Sequence, residues 1–146
     1  MQIKIQKLRD NAVLPAYQSP AAAGADLYAA LEEPLTLAPM DRALVPTGIA
    51  AQPERNDCVL MIAARSGLAV KKGVTLSNGI GVVDADYRGE ICVGLVNLGK
   101  EPVTIEPGDR IAQLLVMPVI RGVFTEADSL EETDRGAGGF GHTGTK

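Results

Sequence analysis

Between Asn78 and Glu90 the chain gathers groups able to handle protons, cations and hydrogen bonds. Asn78 supplies an amide, Asp84 and Asp86 carboxylates, Tyr87 a phenol and Arg88 a guanidinium, spaced by Gly79, Gly81 and Gly89. Asp84 and Asp86 lie two apart, so an extended chain would put both on one face. Two acids side by side near a turn could hold a cation or draw a proton from water. Asp and Gly also favour turns for conformational reasons, so the same residues describe a solvated turn. The segment reads as strand, turn and strand, with Asp86 to Gly89 as the polar turn of a hairpin.

Four further stretches carry polar groups that the apolar pattern does not require. Asp26 is the one carboxylate in Ala23-Gly24-Ala25-Asp26-Leu27-Tyr28-Ala29-Ala30, which also fits a short strand with its acid at an exposed end. Arg65-Ser66-Gly67 interrupts an apolar run, and Ser66 is placed to cap a helical turn over 66–72 that Gly73 would end. Exposed amides at such a start, beside an arginine, suit a phosphate, although capping alone explains the serine. Gly108-Asp109-Arg110-Ile111-Ala112-Gln113 reads as a turn leading into a strand. Finally, Arg135-Gly136-Ala137-Gly138-Gly139-Phe140-Gly141-His142 opens a glycine-rich end with little to tie it to a core, expected to be a mobile tail. One aromatic for stacking on a base, one arginine and several glycine amides would equally suit a nucleotide. Residues 136–143 mimic a phosphate-binding loop with His142 in place of lysine, but no strand precedes and no helix follows.

The elements that must position these groups are short strands. The 146 residues contain 16 glycines and nine prolines, and aromatics are only 3% with no tryptophan. Tight turns throughout and a core of Val, Ile, Leu, Ala and Met indicate one all-β domain, a sandwich or barrel large enough to fold without disulfides. Residues 2–8 alternate polar and apolar, residues 10–20 form a loop, and 31–64 are strands punctuated by prolines, with 58–64 the most buried. Strands are also expected over 91–97, 103–105 and 119–124, and the apolar pattern stops at 125–134, dividing a domain of 1–130 from an arm of 131–146.

A net charge of −4 disfavours nonspecific nucleic-acid binding. Cys58 and Cys92 sit in apolar runs without metal-ligand spacing and read as buried thiols of a reducing compartment. The start of the chain lacks a basic stretch followed by an apolar core, and no apolar run approaches ~20 residues. These features lead to the expectation of a soluble cytoplasmic protein, without membrane or nucleic-acid partners.

Taken together, the stretches resemble the five ordered motifs of the trimeric dUTPases. Gly81-Val82-Val83-Asp84-Ala85-Asp86-Tyr87-Arg88-Gly89 is similar to the third motif, 23–30 to the first, Arg65-Ser66-Gly67 to the second, 108–113 to the fourth and 135–144 to the fifth. Ala64 stands where the second motif usually has proline, and His142 where the fifth more often has serine. The resemblance implies a jelly-roll-like β-barrel of the β-clip type, with one short helix, a flexible C-terminal arm and a homotrimer whose sites are shared between subunits.

It further implies hydrolysis of dUTP to dUMP and pyrophosphate with Mg2+, keeping uracil out of DNA and supplying dUMP for thymidylate synthesis. Asp84 would activate the attacking water, a role that spacing alone does not award over Asp86. Asp26 would help hold the metal, largely through water. Arg65, Ser66, Gly67, Gln113 and Arg135 would contact phosphates. Asn78, Val82, Val83 and the main chain near Cys92 would read uracil, Tyr87 would pack on deoxyribose, and Phe140, Gly141 and His142 would belong to the closing arm. The rivals are a noncatalytic nucleotide-binding β-barrel and a relative of the dCTP deaminases, whose site motif is not visible here.

Overall fold

The computed structural model describes residues 1–139. Eleven strands and one helix occur among them: β1 (Ile3–Lys7), β2 (Ala25–Tyr28), β3 (Leu35–Leu37), β4 (Arg42–Pro46), β5 (Ile49–Pro53), β6 (Cys58–Ala64), α1 (Ser66–Lys72), β7 (Val74–Leu76), β8 (Gly81–Asp84), β9 (Cys92–Asn97), β10 (Val103–Ile105) and β11 (Arg110–Pro118). Strands pair in the orders β2-β11-β6-β8 and β4-β9-β7, with two ribbons, β1-β5 and β10-β3. All of these pairings are antiparallel. One hydrophobic cluster joins every set, with Leu27, Leu37, Val45, Ile49, Leu60 and Leu95 among its fully buried members. This mostly-β arrangement with a single short helix is the jelly-roll-like fold expected from the sequence. Among the described residues, no helix is long and apolar enough to cross a membrane.

Period-two patterning explains the strands. Val103 and Ile105 are buried while Thr104 is exposed, and along β6 Cys58, Leu60 and Ile62 point inward while their neighbours are half-buried. That alternation shows that one face of β6 is only partly covered.

The helix occupies the expected residues, with a different cap. Arg65, not Ser66, sits at the N-cap position, and no side chain caps the helix start. Ser66 is already helical and exposed. Gly73 ends the helix with φ +75°, and a Cβ there would fall 2.4 Å from the Gly99 nitrogen, so both conformation and space demand glycine.

Two expected strand arrangements give way. The unit around residues 78–92 is not a paired hairpin, because β8 pairs with β6 whereas β9 pairs with β4 and β7. Residues 85–91 instead carry the chain from one sheet to another, and packing of two apolar sheets outcompetes a local pairing. No strand forms over 119–124 either. The Val119 amide still donates to the Asp57 carbonyl, but Ile120, Val123 and Phe124 are at least 90% exposed and pair with no strand.

Candidate active site

The residues expected to do chemistry fall into two groups at opposite ends of β6. The first lies around the end of β8. Asp84 is its last residue, opposite Val59, and its carbonyl accepts the Tyr87 amide at 3.1 Å, closing a turn that contains Asp86. Asp86 therefore leaves the strand, and the two acids do not share a strand face. A cleft of about 310 Å3 is lined by Leu44, Val82, Val83, Asp84, Tyr87 and Cys92, together with Glu90 and Ile91. Five of the expected site residues thus meet in one concavity. Asn78 lies apart, exposed on the turn before β8, where Gly79 has φ +75°.

Local contacts shape this wall. The Tyr87 ring folds back over Gly89, whose missing Cβ would lie 2.3 Å from the phenolic oxygen, and its hydroxyl donates to the Glu90 carbonyl at 3.2 Å. Arg88 donates through Nη1 to the carbonyls of Ala85 and Tyr87, so it clamps the turn. Glu90 accepts from Arg9 Nε at 2.8 Å, Arg9 Nη2 at 3.1 Å and the Gly48 amide at 2.9 Å. Cys92 is half-buried rather than buried, and withdrawal from water pushes its thiol pKa up, which disfavours the reactive thiolate.

The hydrogen bond from Arg9 holds the Glu90 carboxyl below the usual glutamate range, with burial opposing and the Gly48 amide assisting. A depressed folded-state value means stabilisation that is full above the unfolded-chain value of about 4.3 and is lost as pH falls from there through the folded value. The gap in urea midpoint between wild type and Glu90→Gln is accordingly expected to be widest near neutrality and to close below pH ~4. A gap that stays constant with pH would show that the Glu90 charge does not contribute.

The second group surrounds Asp26. This side is buried, 1% exposed, contrary to the exposed strand end expected from the sequence. Its Oδ1 accepts from Arg65 Nε at 3.1 Å and Gln113 Nε2 at 3.4 Å, and its Oδ2 from Arg110 Nη1 at 3.1 Å. Arg65 also donates through Nη1 to the Arg110 carbonyl at 2.9 Å. The strand register makes this cluster: β11 sets Gln113 opposite both Asp26 and Ala63, next to the end of β6 where Arg65 follows. A Cβ on Gly24 would approach the Gln113 Cβ to 3.1 Å, so the small residue leaves that amide room. Three donors on one buried carboxylate satisfy its desolvated charge while keeping two guanidiniums at the surface. Ser66 and Gly67 are exposed beside them at the start of α1, where their own amides precede the first intrahelical bonds, made by Leu68 and Ala69 to the Arg65 carbonyl.

Among the described residues, no group of three or more His, Cys, Asp or Glu side chains is arranged to hold a metal. With both Asp26 oxygens engaged by donors, the described residues offer no protein cage for a dication, and the carboxylate fits one only through intervening water. Mg2+ commonly keeps several waters and takes substrate phosphates as ligands, so the donor set suits an ion that arrives on a polyphosphate.

Arg135 lies in the exposed segment after β11, where its Nε donates to the Gly138 carbonyl at 2.8 Å. Phe140, Gly141 and His142 lie outside the described residues. A larger, mainly apolar groove of about 660 Å3 between Ile3, Ile5, Leu114 and Val116 contains none of the expected site residues, so size alone would select the wrong cavity. Arg9, Glu90 and Arg88 have no role in the motif resemblance, and Arg110 enters it only as part of the turn leading into the strand of the fourth motif. An arginine next to a motif carboxylate was the available signal for Arg110, whereas Arg9 has none in its local sequence.

Comparison with known proteins shows the family of the chain. A dUTPase family model matches residues 10–144. A deoxyuridine 5'-triphosphate nucleotidohydrolase of Xylella fastidiosa is 49% identical over 148 residues, covering 100% of this chain and 96% of that protein. One from Desulfitobacterium hafniense is 47% identical, covering 99% and 97%. The dUTPase of Staphylococcus bacteriophage 80alpha, solved with dUPNHPP, superposes with a TM-score of 0.87 at 25% identity, covering 98% of each chain. With the family model matching residues 10–144 and curated relatives nearly half identical over the whole chain, this chain belongs to the dUTPase family.

Proposed function

We propose that the protein hydrolyses dUTP to dUMP and pyrophosphate by attack of water on the α-phosphorus. The observation that carries this reading is the convergence of Val82, Val83, Asp84, Tyr87 and Cys92 on one cleft, in a chain whose Arg65, Arg110 and Gln113 gather separately around Asp26. A carboxylate at the cleft rim both orients a water and accepts its proton. We assign that role to Asp84 and leave Asp86 as an orienting group of the turn. Arg65, Gln113, Arg135 and the amides of Ser66 and Gly67 bind phosphate oxygens whose charge would otherwise repel the nucleophile. Asp26 would help hold a Mg2+ ion carried on the triphosphate, through water, and the ion would supply further charge neutralisation.

Asp84 and Arg65 cannot serve one triphosphate from a single chain. Asp84 is opposite Val59, and Arg65 follows the far end of β6, which separates them by about 20 Å at the usual rise per residue. This distance supports a homotrimer in which the cleft of one subunit meets the phosphate-binding cluster of another. The arm, including Phe140, Gly141 and His142, then closes over the shared site.

Main chain over 79–84 and near Cys92, with the Asn78 amide, reads the uracil edge, where cytosine would present a mismatched donor. A buried polar mismatch of that kind can discriminate by ~10^4-fold. The Tyr87 ring lies against deoxyribose and leaves no room for a 2'-hydroxyl. Tyr87→Ala is expected to raise activity on UTP relative to dUTP, and steady-state kinetics with both nucleotides would remove Tyr87 from sugar selection if the ratio stayed put. In the cell, a cytoplasmic enzyme of this kind keeps uracil out of DNA and provides dUMP for thymidylate synthesis.

The test is pyrophosphate release from dUTP by the purified protein with and without Mg2+. Metal-dependent release is expected, and dCTP should yield no ammonia. Binding of dUTP without release would instead identify a noncatalytic module, and ammonia from dCTP would identify a deaminase.

A further inference from the structure

We infer that Arg9 is a positioning residue for the nucleoside cleft, acting through Glu90 on the wall that carries Tyr87. The inference rests on the proposed hydrolysis of dUTP. Arg9 lies one residue before the span matched by the family model and 81 positions from its partner. Its side chain makes a two-pronged ion pair, Nε to Glu90 Oε1 and Nη2 to Glu90 Oε2, while the Gly48 amide donates to the same Oε1.

The pair fixes the Glu90 end of a main-chain segment that lies outside the sheets. Residues 85–91 belong to no strand, yet they form one side of the cleft. Tyr87 is anchored by its hydroxyl on the Glu90 carbonyl, so displacement of Glu90 displaces the acceptor that holds the phenol. Ile91 is held in parallel: its amide donates to the Ile49 carbonyl, and its own carbonyl accepts both the Thr47 amide and the Thr47 hydroxyl. Arg9 itself is seated by its surroundings. The Leu8 amide donates to the Gly48 carbonyl at 2.7 Å, and Gly48, at φ +70°, has no Cβ to collide with Ala12, Ala30 or the Arg9 Cβ. A chain of contacts therefore runs from Arg9 through the Glu90 carboxylate and main chain to Tyr87, outside the groups that touch phosphate.

A bidentate carboxylate partner requires the planar guanidinium fork, which lysine reproduces only in charge. The pair is partly exposed, with side-chain exposures of 40% and 22%, so a modest effect is expected. Arg9→Met should raise KM for dUTP by roughly 3- to 10-fold and leave kcat within about 2-fold, because nucleoside contacts are loosened while phosphates and Asp84 are untouched. The ratio of UTP to dUTP activity should rise with it, and Arg9→Lys should restore part of the loss. Arg9→Met combined with Glu90→Gln should be little worse than either change alone, since both cut the same link.

Wild-type protein assayed alongside separates the two readings: absence of dUTP hydrolysis by wild type removes the proposed function. If wild type is active and Arg9→Met lowers only thermal stability, with KM and the nucleotide ratio unchanged, Arg9 is a structural residue and the inference is overturned. Additive effects in the double variant would overturn it too.

Discussion

Asp84→Asn is expected to bind dUTP with near-wild-type affinity and to turn it over ~100-fold or more slowly, within the usual reach of general base catalysis. Asparagine matches aspartate in size but has no carboxylate to take a proton. The surrounding backbone should persist, because it depends on main-chain groups: Gly81 to Asp84 are registered against β6, and the turn beyond is closed by the Asp84 carbonyl. Arg88 clamps that turn through the carbonyls of Ala85 and Tyr87, which the substitution also leaves alone. Calorimetric binding of a nonhydrolysable dUTP analogue, paired with single-turnover pyrophosphate release, separates affinity from chemistry. A variant that turns over at the wild-type rate would take the base role from Asp84, and one that loses binding in proportion to rate would make it a binding group instead.

Asp26→Ala should lower folding stability by about 3 kcal/mol and abolish the organised phosphate end of the site. Removing a buried acid from between two cations leaves their charges uncompensated, a change that typically costs 3–5 kcal/mol. Here Arg65 and Arg110 are 26% and 44% exposed and can rehydrate, which favours the lower end of that range. Gln113 would lose the same carboxylate as acceptor. Asp26→Asn keeps two hydrogen-bond acceptor lone pairs without the charge, and should fall between wild type and the alanine variant. Urea denaturation of all three proteins measures the order directly, and an unchanged midpoint for alanine would mean that the cluster contributes no net stability.

Much of the local structure was legible from residue order. Alternation in 3–7 and 103–105 marked strands, Gly73 marked the end of a helix begun at Ser66, and the mixture of glycine, acid and phenol after Asp84 marked a turn beside a cleft. These are signals carried by neighbours a few positions apart. Failures occurred where a distant competitor intervened. Ser66 yielded the cap position to Arg65, whose side chain is drawn to Asp26 and the Arg110 carbonyl. The supposed hairpin opened because β6 and β4 offer β8 and β9 better apolar surfaces than each offers the other. Asp26 read as a strand-end acid because nothing near it in the chain shows that two arginines and a glutamine converge there.

Residue types and their order alone determined a mostly β chain with short strands and tight turns, and the resemblance of five ordered stretches carried its family. Tertiary structure decided how those side chains are apportioned: Asp84 and Tyr87 in one cleft, Arg65 and Gln113 around buried Asp26, and the Arg9–Glu90 link behind the cleft wall. The physical reason is that strand pairing and ion pairing join residues tens of positions apart through burial and register, and neither leaves a trace in the local pattern that forms a strand or a turn.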